Sequence, residues 1–301
     1  MSTPNFARRL LWRSRYQRSQ LGHAWRSCFV VLRPNPRRTA WISSWQRSGS
    51  TWLAEMLSAD AATRLVYEPA NVPDAVYTGE DAARIDLPNE AHPAVLEVTR
   101  FLHGGGGFRG RWVDQLNHAH VVRRTVVKDV RALGITGLVR SRRPHNPVII
   151  LVRHPLAVAE SVVALGWTST DDHAAALLNE VRTWCEYHRR LLDDPRLTSV
   201  WWMSYEELRA DPISEISAVS DYAMGFHPTW AVWKSTALDP QQPSATNFRG
   251  TTNETHALWP RLDSMTISTA VEIIDSFGFG SLYGSGTGVL QPLRTFVAAR
   301  A

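Results

Sequence analysis

One short stretch, residues 40–57, constrains the fold more than any other part of the chain. It reads A-W-I-S-S-W-Q-R-S-G-S-T-W-L-A-E-M-L. The aromatic and β-branched residues at 40–45 are typical of a buried strand, whereas the apolar residues within 52–57 recur at the spacing of one helix face. A turn must therefore connect a strand to a helix at residues 46–51.

We call residues 46–51 the cradle, because their composition suits an anion. They contain a glycine, hydroxyl residues that can cap the following helix, and Arg47. In such a turn, backbone N–H groups and the positive end of the helix point at a single anion. The triphosphatase loop needs G-x-x-x-x-G-K-[ST]. The cradle lacks both that spacing and that lysine, so it suits a monophosphate without a metal, although an ordinary capped turn has the same residues.

Composition sets the outer bounds. With 301 residues the chain can bury a sizeable core, and we expect one large α/β domain. An apolar content of 44% and a charged content of 20% are ordinary for a soluble globular protein. The net charge of +5 suggests an anionic cofactor or surface. Cys28 and Cys185 are too few for a disulfide framework or a cysteine-built metal site, and a reducing cytoplasm is the simplest location.

Residues 1–38 carry arginines among apolar residues and contain no acid. Their longest apolar run, 28–32, is far too short for a transmembrane helix or a signal-peptide core. A packed or frayed N-terminal helix and a peripheral attachment to anionic lipid both remain open. We predict a basic extension at 1–38, a domain at 39–288 and a C-terminal tail at 289–301.

A second short strand is predicted at 64–67, and Glu68 follows it directly. Open α/β sheets place their chemistry at the carboxyl ends of strands. Glu68 is therefore a candidate general base. A strand-end carboxylate paired with a nearby arginine is the alternative.

Residues 70–120 contain three prolines at 73, 88 and 93 and a run of four glycines at 104–107. Such a stretch is typical of a long functional loop, and we expect an acceptor-side lid. His103, His118 and His120 have no acidic or cysteine partner at ligand spacing. Solvated loop histidines are therefore favoured over a metal site.

Regular structure resumes with a predicted strand at 125–130, which carries Lys128, and an apolar helix from 133. The strand V-I-I-L-V at 148–152 ends at Arg153, and the next helix contains Ser161. This alternation predicts a parallel sheet with right-handed crossovers. Arg153 and Ser161 then lie at or near the carboxyl side of the sheet and suit a second phosphate, with Arg153 donating a planar fork.

The remaining predicted elements are a helix at 171–194, a strand at 199–203, and helices at 212–222 and 264–277. A polar stretch with prolines occupies 239–256. We expect the residues after 278, including the basic tail, to be loosely ordered. The sequence shows no internal repeat and no second domain boundary.

Five stretches carry a joint resemblance to a known family. They are Q-R-S-G-S-T-W at 46–52, Y-E-P at 67–69, V-K-D-V-R at 127–131, V-I-I-L-V-R-H-P-L-A-V-A-E-S at 148–161 and S-Y-E-E-L-R-A-D-P at 204–212. Together they resemble the sulfotransferases that use 3'-phosphoadenosine 5'-phosphosulfate (PAPS), in particular the carbohydrate and bacterial branches. The resemblance implies a single α/β domain whose central parallel sheet is flanked by helices, like the P-loop nucleotide hydrolases.

The resemblance also implies roles for individual residues. The 5'-phosphosulfate loop corresponds to Arg47, Ser48, Gly49, Ser50, Thr51 and Trp52. Within it, Arg47 replaces the lysine of the cytosolic branch and Trp52 packs on the adenine. Outside the loop, Arg153 and Ser161 match the pair that binds the 3'-phosphate, and Tyr205 resembles the adenine-side tyrosine.

The segment Phe248-Arg249-Gly250 matches the family's late arginine–lysine–glycine segment only in part, because the lysine is missing. We therefore carry Arg249 and Gly250 as partial matches at the 3'-phosphate.

The chemistry implied is an in-line attack of an acceptor hydroxyl on sulfur, with charge building on the departing phosphate oxygen. Donors aimed at that oxygen lower the barrier, and Arg47 and the cradle N–H groups are so placed. The hydroxyl also needs a base. Glu68 takes the place of the glutamate base of the carbohydrate and bacterial branches, and the K-T-H motif of the cytosolic branch has no match. This departure favours Glu68 as the base over His103, His118 or His120, which stay open as alternatives. Lys128 is expected to support the base or the sulfuryl oxygens, or to be a salt-bridged strand-end lysine.

The sequence thus predicts a metal-free, PAPS-dependent sulfotransferase that acts on a hydroxyl of a sugar or glycolipid. Two other classes stay open. A metal-dependent small-molecule kinase shares the sheet architecture, but the missing G-K-[ST] argues against it. A non-catalytic protein on anionic membranes or nucleic acid would depend on the arginine-rich start, and its binding would fall steeply with salt.

Overall fold

The computed structural model of the protein describes residues 31–32, 39–60, 62–69, 121–166, 172–225, 262–283 and 291–299. The predictions that fall outside these ranges concern most of the extension at 1–38, the lid at 70–120, His103, His118, His120, Arg249 and Gly250. The fold and the site are built from the described parts of the chain.

In chain order the described strands are β1 (Val31–Leu32), β2 (Thr39–Ser44), β3 (Thr63–Tyr67), β4 (Val121–Val122), β5 (Arg124–Asp129), β6 (Val148–Val152) and β7 (Trp201–Ser204). Within the described residues, five of these strands form the central parallel sheet, in the order β3-β5-β2-β6-β7. Strands β1 and β4 pair with each other in a separate parallel ladder. The predicted parallel sheet is confirmed, and the central position of β2 puts its carboxyl end between those of β5 and β6.

Helices alternate with these strands along the chain. They are α1 (Ser50–Leu57), α2 (Thr136–Arg142), α3 (Pro155–Ala164), α4 (His173–Asp193), α5 (Tyr205–Ala210), α6 (Pro212–Met224), α7 (Ser264–Ser276), α8 (Gly280–Tyr283) and α9 (Leu293–Ala298). Side-chain oxygens of Asp172, Ser204 and Asp211 accept backbone N–H groups at the starts of α4, α5 and α6. Among the described helices, none combines the length and the apolar character that crossing a bilayer requires.

Apolar residues cover both faces of the sheet. Along β6 the buried side chains alternate between two cores: Val148, Ile150 and Val152 pack with α3, α4 and α7, whereas Ile149 and Leu151 pack with α1 and α6. Successive side chains of a strand point to opposite faces, and a parallel sheet is covered by helices on both. The continuous apolar run V-I-I-L-V is therefore the signature of a strand with two buried faces.

Several element ends differ slightly from the sequence prediction. The strand predicted at 125–130 is Arg124–Asp129, and the helix predicted from 133 begins with a 3₁₀ turn, Leu133–Ile135, before α2. Asp129 explains this start, because its Oδ1 accepts the N–H groups of Arg131 and Ala132 at 2.7 and 2.9 Å. The side chain therefore tightens the turn after the strand.

The expectation of loose order after residue 278 is wrong for the described residues. Helices α8 and α9 lie there, and Phe279, Tyr283, Leu293 and Phe296 are buried in the same core as α4. The rings of Phe279 and Phe296 stack at 5.9 Å between centroids. Scattered apolar residues in a glycine-rich stretch give no helical period, so tertiary packing decides this region.

Side chains of helix α4 contact Trp45, which directly follows the carboxyl end of β2. The indole N–H of Trp45 donates to Glu180 Oε1 at 2.7 Å, and its ring meets Tyr187 edge-on at 5.0 Å. On the same helix, His188 stacks on Trp184 at 3.8 Å between ring centroids. This cluster fixes the point where the chain leaves the sheet for the cradle.

His188 should make the fold sensitive to acid. Burial lowers the pKa of His188 to about 4, against the opposing effect of its hydrogen bond to the Trp184 carbonyl. Between about pH 4 and 6.5 the unfolded state then binds more protons, so stability falls as the pH falls. We expect a loss of about 1.4 kcal/mol per pH unit, or roughly 3 kcal/mol across the window, from urea unfolding of the wild type.

The variant His188→Phe keeps a ring against Trp184 and should flatten this pH dependence. The exposed His145 is the matched control, and His145→Phe should leave the slope unchanged. An equal slope in the wild type and His188→Phe would show that other groups cause the acid loss.

Candidate active site

The cradle follows β2 and ends in the first turn of α1. Its backbone turns sharply, because Arg47 and Gly49 both have positive φ, at 65° and 86°. Gly49 is the N-cap residue of α1, and it offers no side-chain cap. The expectation that a hydroxyl side chain caps this helix is therefore wrong at its N-cap position. A helix end without such a cap can donate its N–H groups to an external anion.

Gly49 also allows a close contact with Tyr205, the first residue of α5. A Cβ at Gly49 would lie 2.5 Å from Tyr205 Cδ2. The tyrosine ring therefore lies directly against the cradle backbone, where only glycine fits. This contact joins the end of β7 to the end of β2.

The Ser48 hydroxyl is buried and has no hydrogen-bond partner among the described residues. Leaving a buried hydroxyl unsatisfied costs about 1–3 kcal/mol. A phosphate or sulfuryl oxygen in the cradle would supply the missing partner. The cradle thus fits an oxyanion through the Ser48 hydroxyl and through the N–H groups of a helix end that has no side-chain cap.

Two arginines and a serine meet beside the cradle. Arg153, directly after β6, donates from Nη1 to the Arg47 carbonyl oxygen at 2.9 Å. Arg47 in turn donates from Nε to Ser161 Oγ of α3 at 2.8 Å. Burial, and then the like charge of Arg153, lower the pKa of the Arg47 guanidinium. The structure therefore brings Arg47, Arg153 and Ser161 into one cationic cluster that favours an anion.

Aromatic rings flank this cluster. The Arg153 guanidinium lies over the Tyr205 ring at 4.5 Å from its centroid, a cation–π contact. Trp52 meets the same tyrosine edge-on at 6.2 Å. Tyr205 thus links Arg153, Trp52 and the cradle, and the predicted roles of Trp52 and Tyr205 at an adenine stay predictions.

Glu68 and Lys128 form a buried ion pair on the other side of β2. Lys128 lies on β5 opposite Tyr67 of β3, and its ammonium pairs with Glu68 Oε1. The Glu68 N–H also donates to the Lys128 carbonyl at 2.7 Å. Burial opposes the charge of Lys128, but the attraction of Glu68 and then of the Tyr67 phenol raises its pKa. Lys128 is therefore one partner of Glu68, and the two form the strand-end salt bridge that the alternative interpretation of Lys128 expected.

Two site residues lay outside the sequence prediction. Glu180 of α4 accepts from Trp45 and from Gln46 Nε2, at 2.7 and 3.4 Å, and so anchors the start of the cradle. Glu206 accepts the His154 N–H at 2.8 Å and the Ser204 hydroxyl at 2.8 Å, which ties the end of β6 to that of β7. The available signal for Glu180 was its place on the apolar face of α4, where a buried carboxylate needs a partner.

The described residues thus combine a parallel sheet, a donor-rich turn after its central strand, neighbouring arginines and a buried carboxylate–lysine pair. This combination suits a class of protein that transfers a group from an anionic donor. Within the described ranges, no cluster of His, Cys, Asp and Glu side chains could hold a metal ion. The model of the sulfotransferase family matches residues 41–224, more than half of the 301-residue chain, so the protein belongs to the sulfotransferase family. The predicted family and enzyme class are confirmed.

Solved sulfotransferases are among the structures to which this chain is similar, at low identity. Mouse sulfotransferase SULT7A1, complexed with PAP, is 12% identical, with a TM-score of 0.50 over 82% of this chain and 85% of that chain. The sulfotransferase STF9 from Mycobacterium avium is 14% identical, with a TM-score of 0.48 over 92% and 86%. The sulfotransferase domain of the Synechococcus PCC 7002 olefin synthase is 17% identical, with a TM-score of 0.44 over 82% and 98%. The comparison with curated proteins finds no match.

Gly49→Ala should destabilise the protein more than the same substitution at a left-handed glycine that has open space around it. The alanine Cβ would overlap the Tyr205 ring, in addition to the cost of about 1–2 kcal/mol for a positive φ. We expect a loss of about 3 kcal/mol in the free energy of urea unfolding. Gly166 is the matched control, because at φ +66° an added Cβ meets no described atom within 4 Å. Equal losses in Gly49→Ala and Gly166→Ala would contradict the close contact.

Proposed function

We propose that the protein transfers the sulfuryl group of PAPS to an acceptor hydroxyl. One observation carries this proposal: Arg47, predicted at the 5'-phosphosulfate, is hydrogen-bonded to both residues predicted at the 3'-phosphate, Arg153 and Ser161. The two predicted phosphate sites are therefore close enough to hold the two ends of one bisphosphorylated adenosine. Family membership supports sulfuryl transfer as the reaction.

The residues present fit such a donor. The buried Ser48 hydroxyl lacks a partner among the described residues, α1 has no side-chain cap at its N-cap position, and Arg47 and Arg153 add two positive charges. Guanidinium forks match phosphate oxygens well. The site is thus rich in donors and positive charge, as an anionic nucleotide requires.

We assign a residue of the site to each step of the proposed reaction. The acceptor oxygen forms a bond to sulfur while the bond from sulfur to the 5'-phosphate oxygen breaks, and 3'-phosphoadenosine 5'-phosphate (PAP) leaves. Arg47 and the cradle N–H groups stabilise the charge that grows on that oxygen. Glu68 takes the hydroxyl proton, and Lys128 keeps Glu68 ionised and oriented until then. Proton, sulfuryl group and charge are all accounted for without a metal.

For the acceptor we propose a hydroxyl of a sugar or glycolipid. The support is the glutamate after the cradle, which the resemblance assigns as the base of the carbohydrate and bacterial branches. A cytoplasmic location, with a peripheral contact of residues 1–38 on anionic lipid, is proposed from their arginine-rich, acid-free sequence. Incubation with PAPS and a panel of hydroxylated glycans and glycolipids, read by mass gain, tests the acceptor class.

Arg153→Ala tests the assignment of the 3'-phosphate. Loss of a charge-assisted contact of about 2 kcal/mol should weaken PAP roughly 30-fold, but adenosine 5'-phosphate no more than about threefold. Isothermal titration of both nucleotides measures the difference. The exposed Arg182 of α4 serves as control, and Arg182→Ala should change neither affinity. Equal losses for both nucleotides in Arg153→Ala would place Arg153 away from the 3'-phosphate.

Glu68→Gln tests the base. We expect kcat to fall by about 10²–10⁴, because the proton has no acceptor, while the Kd for PAP stays within about threefold. Glu272→Gln, at an exposed position of α7, should retain full turnover. PAP binding by Glu68→Gln also shows that the variant is folded. Undiminished turnover in a folded Glu68→Gln would exclude Glu68 as the base.

A further inference from the structure

Tyr67, the last residue of β3, lies between the cradle and the proposed base. Its side chain is 4% exposed, and its hydroxyl makes hydrogen bonds to the side chains of Thr51 and Glu68. Lys128, the partner of Glu68, lies over its ring at 4.6 Å from the centroid. One buried phenol therefore touches the first turn of α1, the proposed base and the lysine that pairs with that base.

The two hydrogen bonds have a direction. The bond from Thr51 lowers the pKa of the phenol and the bond to Glu68 raises it. A group that donates to the phenol oxygen favours phenolate, whereas a carboxylate that accepts from the phenol favours the neutral form. Burial is the largest effect and raises the pKa of Tyr67, so the phenol keeps its proton. An ionised carboxylate can only accept a hydrogen bond, so the protonated phenol donates to Glu68 and its oxygen accepts from Thr51. The hydrogen-bond chain therefore runs from the Thr51 hydroxyl to the Tyr67 hydroxyl to the Glu68 carboxylate.

Hydrogen bonds in such a chain strengthen one another. While Thr51 donates to Tyr67, the phenol is a better donor to Glu68, and the carboxylate is a weaker base. Thr51 also belongs to the predicted phosphosulfate loop. An anion that accepts the Thr51 hydroxyl would remove the first link and leave Glu68 more basic.

We infer that Tyr67 is a positioning residue that holds the Glu68 carboxylate and couples its basicity to occupancy of the cradle through Thr51. The inference rests on the proposed function, since it takes Glu68 as the base and the cradle as the donor site. The physical consequence is an order of events. Glu68 reaches its full strength as a base only when the sulfuryl donor is in place.

Other charged groups lie around the hydrogen-bond chain of Thr51, Tyr67 and Glu68. They stay unchanged in the variant that tests this chain of hydrogen bonds. Lys128 of β5 pairs with Glu68, and Asp129, next along β5, attracts Lys128. From the cradle, Arg47 interacts electrostatically with Tyr67. Replacement of the Tyr67 hydroxyl alone leaves all three charges unchanged.

The variant Tyr67→Phe keeps the ring under Lys128 and removes the hydroxyl. Without that donor the ionised carboxylate is less stabilised, so the acid limb of kcat/KM for the acceptor should move about 0.5–1 pH unit to higher pH. The Kd for PAP should change less than about threefold. Tyr222→Phe is the matched control, because the Tyr222 hydroxyl donates to the Val148 carbonyl at 3.3 Å, away from the cradle. Its acid limb should match that of the wild type.

Proton uptake gives a readout independent of turnover. PAP binding to the wild type should take up more protons than binding to Tyr67→Phe or Glu68→Gln, measured by titration calorimetry in two buffers of different ionisation enthalpy. An unmoved acid limb and equal proton uptake in Tyr67→Phe would overturn the inference, even if Glu68→Gln had lost turnover. Full turnover by Glu68→Gln would instead overturn the base assignment itself, so the two failures are distinguishable.

Discussion

Two arginines, Arg47 and Arg153, meet at the carboxyl edge of the sheet, and the site is organised around them. Arg153 is held by the Arg47 carbonyl, and Arg47 by the Ser161 hydroxyl. These bonds hold two positive charges near each other, and burial, followed by the charge of Arg153, lowers the pKa of Arg47. The protein bears this repulsion in advance, so an anionic ligand gains attraction without reorganising the site.

The order of the strands places the proposed base and the predicted nucleotide-binding residues on opposite sides of β2. The cradle follows β2, the central strand, with β5 and β3 on one side and β6 and β7 on the other. The Glu68–Lys128 pair comes from the first side, and Arg153 and Tyr205 from the second. A donor in the cradle would therefore have its nucleotide towards β6 and β7 and its transferable group towards the base. The parallel sheet allows this separation within one site, because adjacent strand ends are only about 5 Å apart.

Much of this arrangement is readable from the sequence. The strand at 148–152 was predicted to the residue, because both of its faces are buried, and the cradle was found from a glycine and an arginine between two periodic segments. Contacts between distant elements were not readable. Glu180 lies 135 positions from Trp45, and the role of Tyr67 depends on a helix and a strand that only the fold brings together. Local patterns report which face is buried, but not what is buried against it.

Backbone strain singles out the same residues by an independent route. Among the described residues other than glycine, those with positive φ are Arg47 and Glu68, at 65° and 42°. Each such conformation costs about 1–2 kcal/mol for an L-residue, and glycine would relieve it. Glycine would also remove the guanidinium or the carboxylate. A residue with a strained backbone is expected to persist when its side chain is needed, even where glycine would be more stable. The strain therefore supports the proposed placement of Arg47 at the departing oxygen and of Glu68 at the acceptor proton, without any appeal to resemblance.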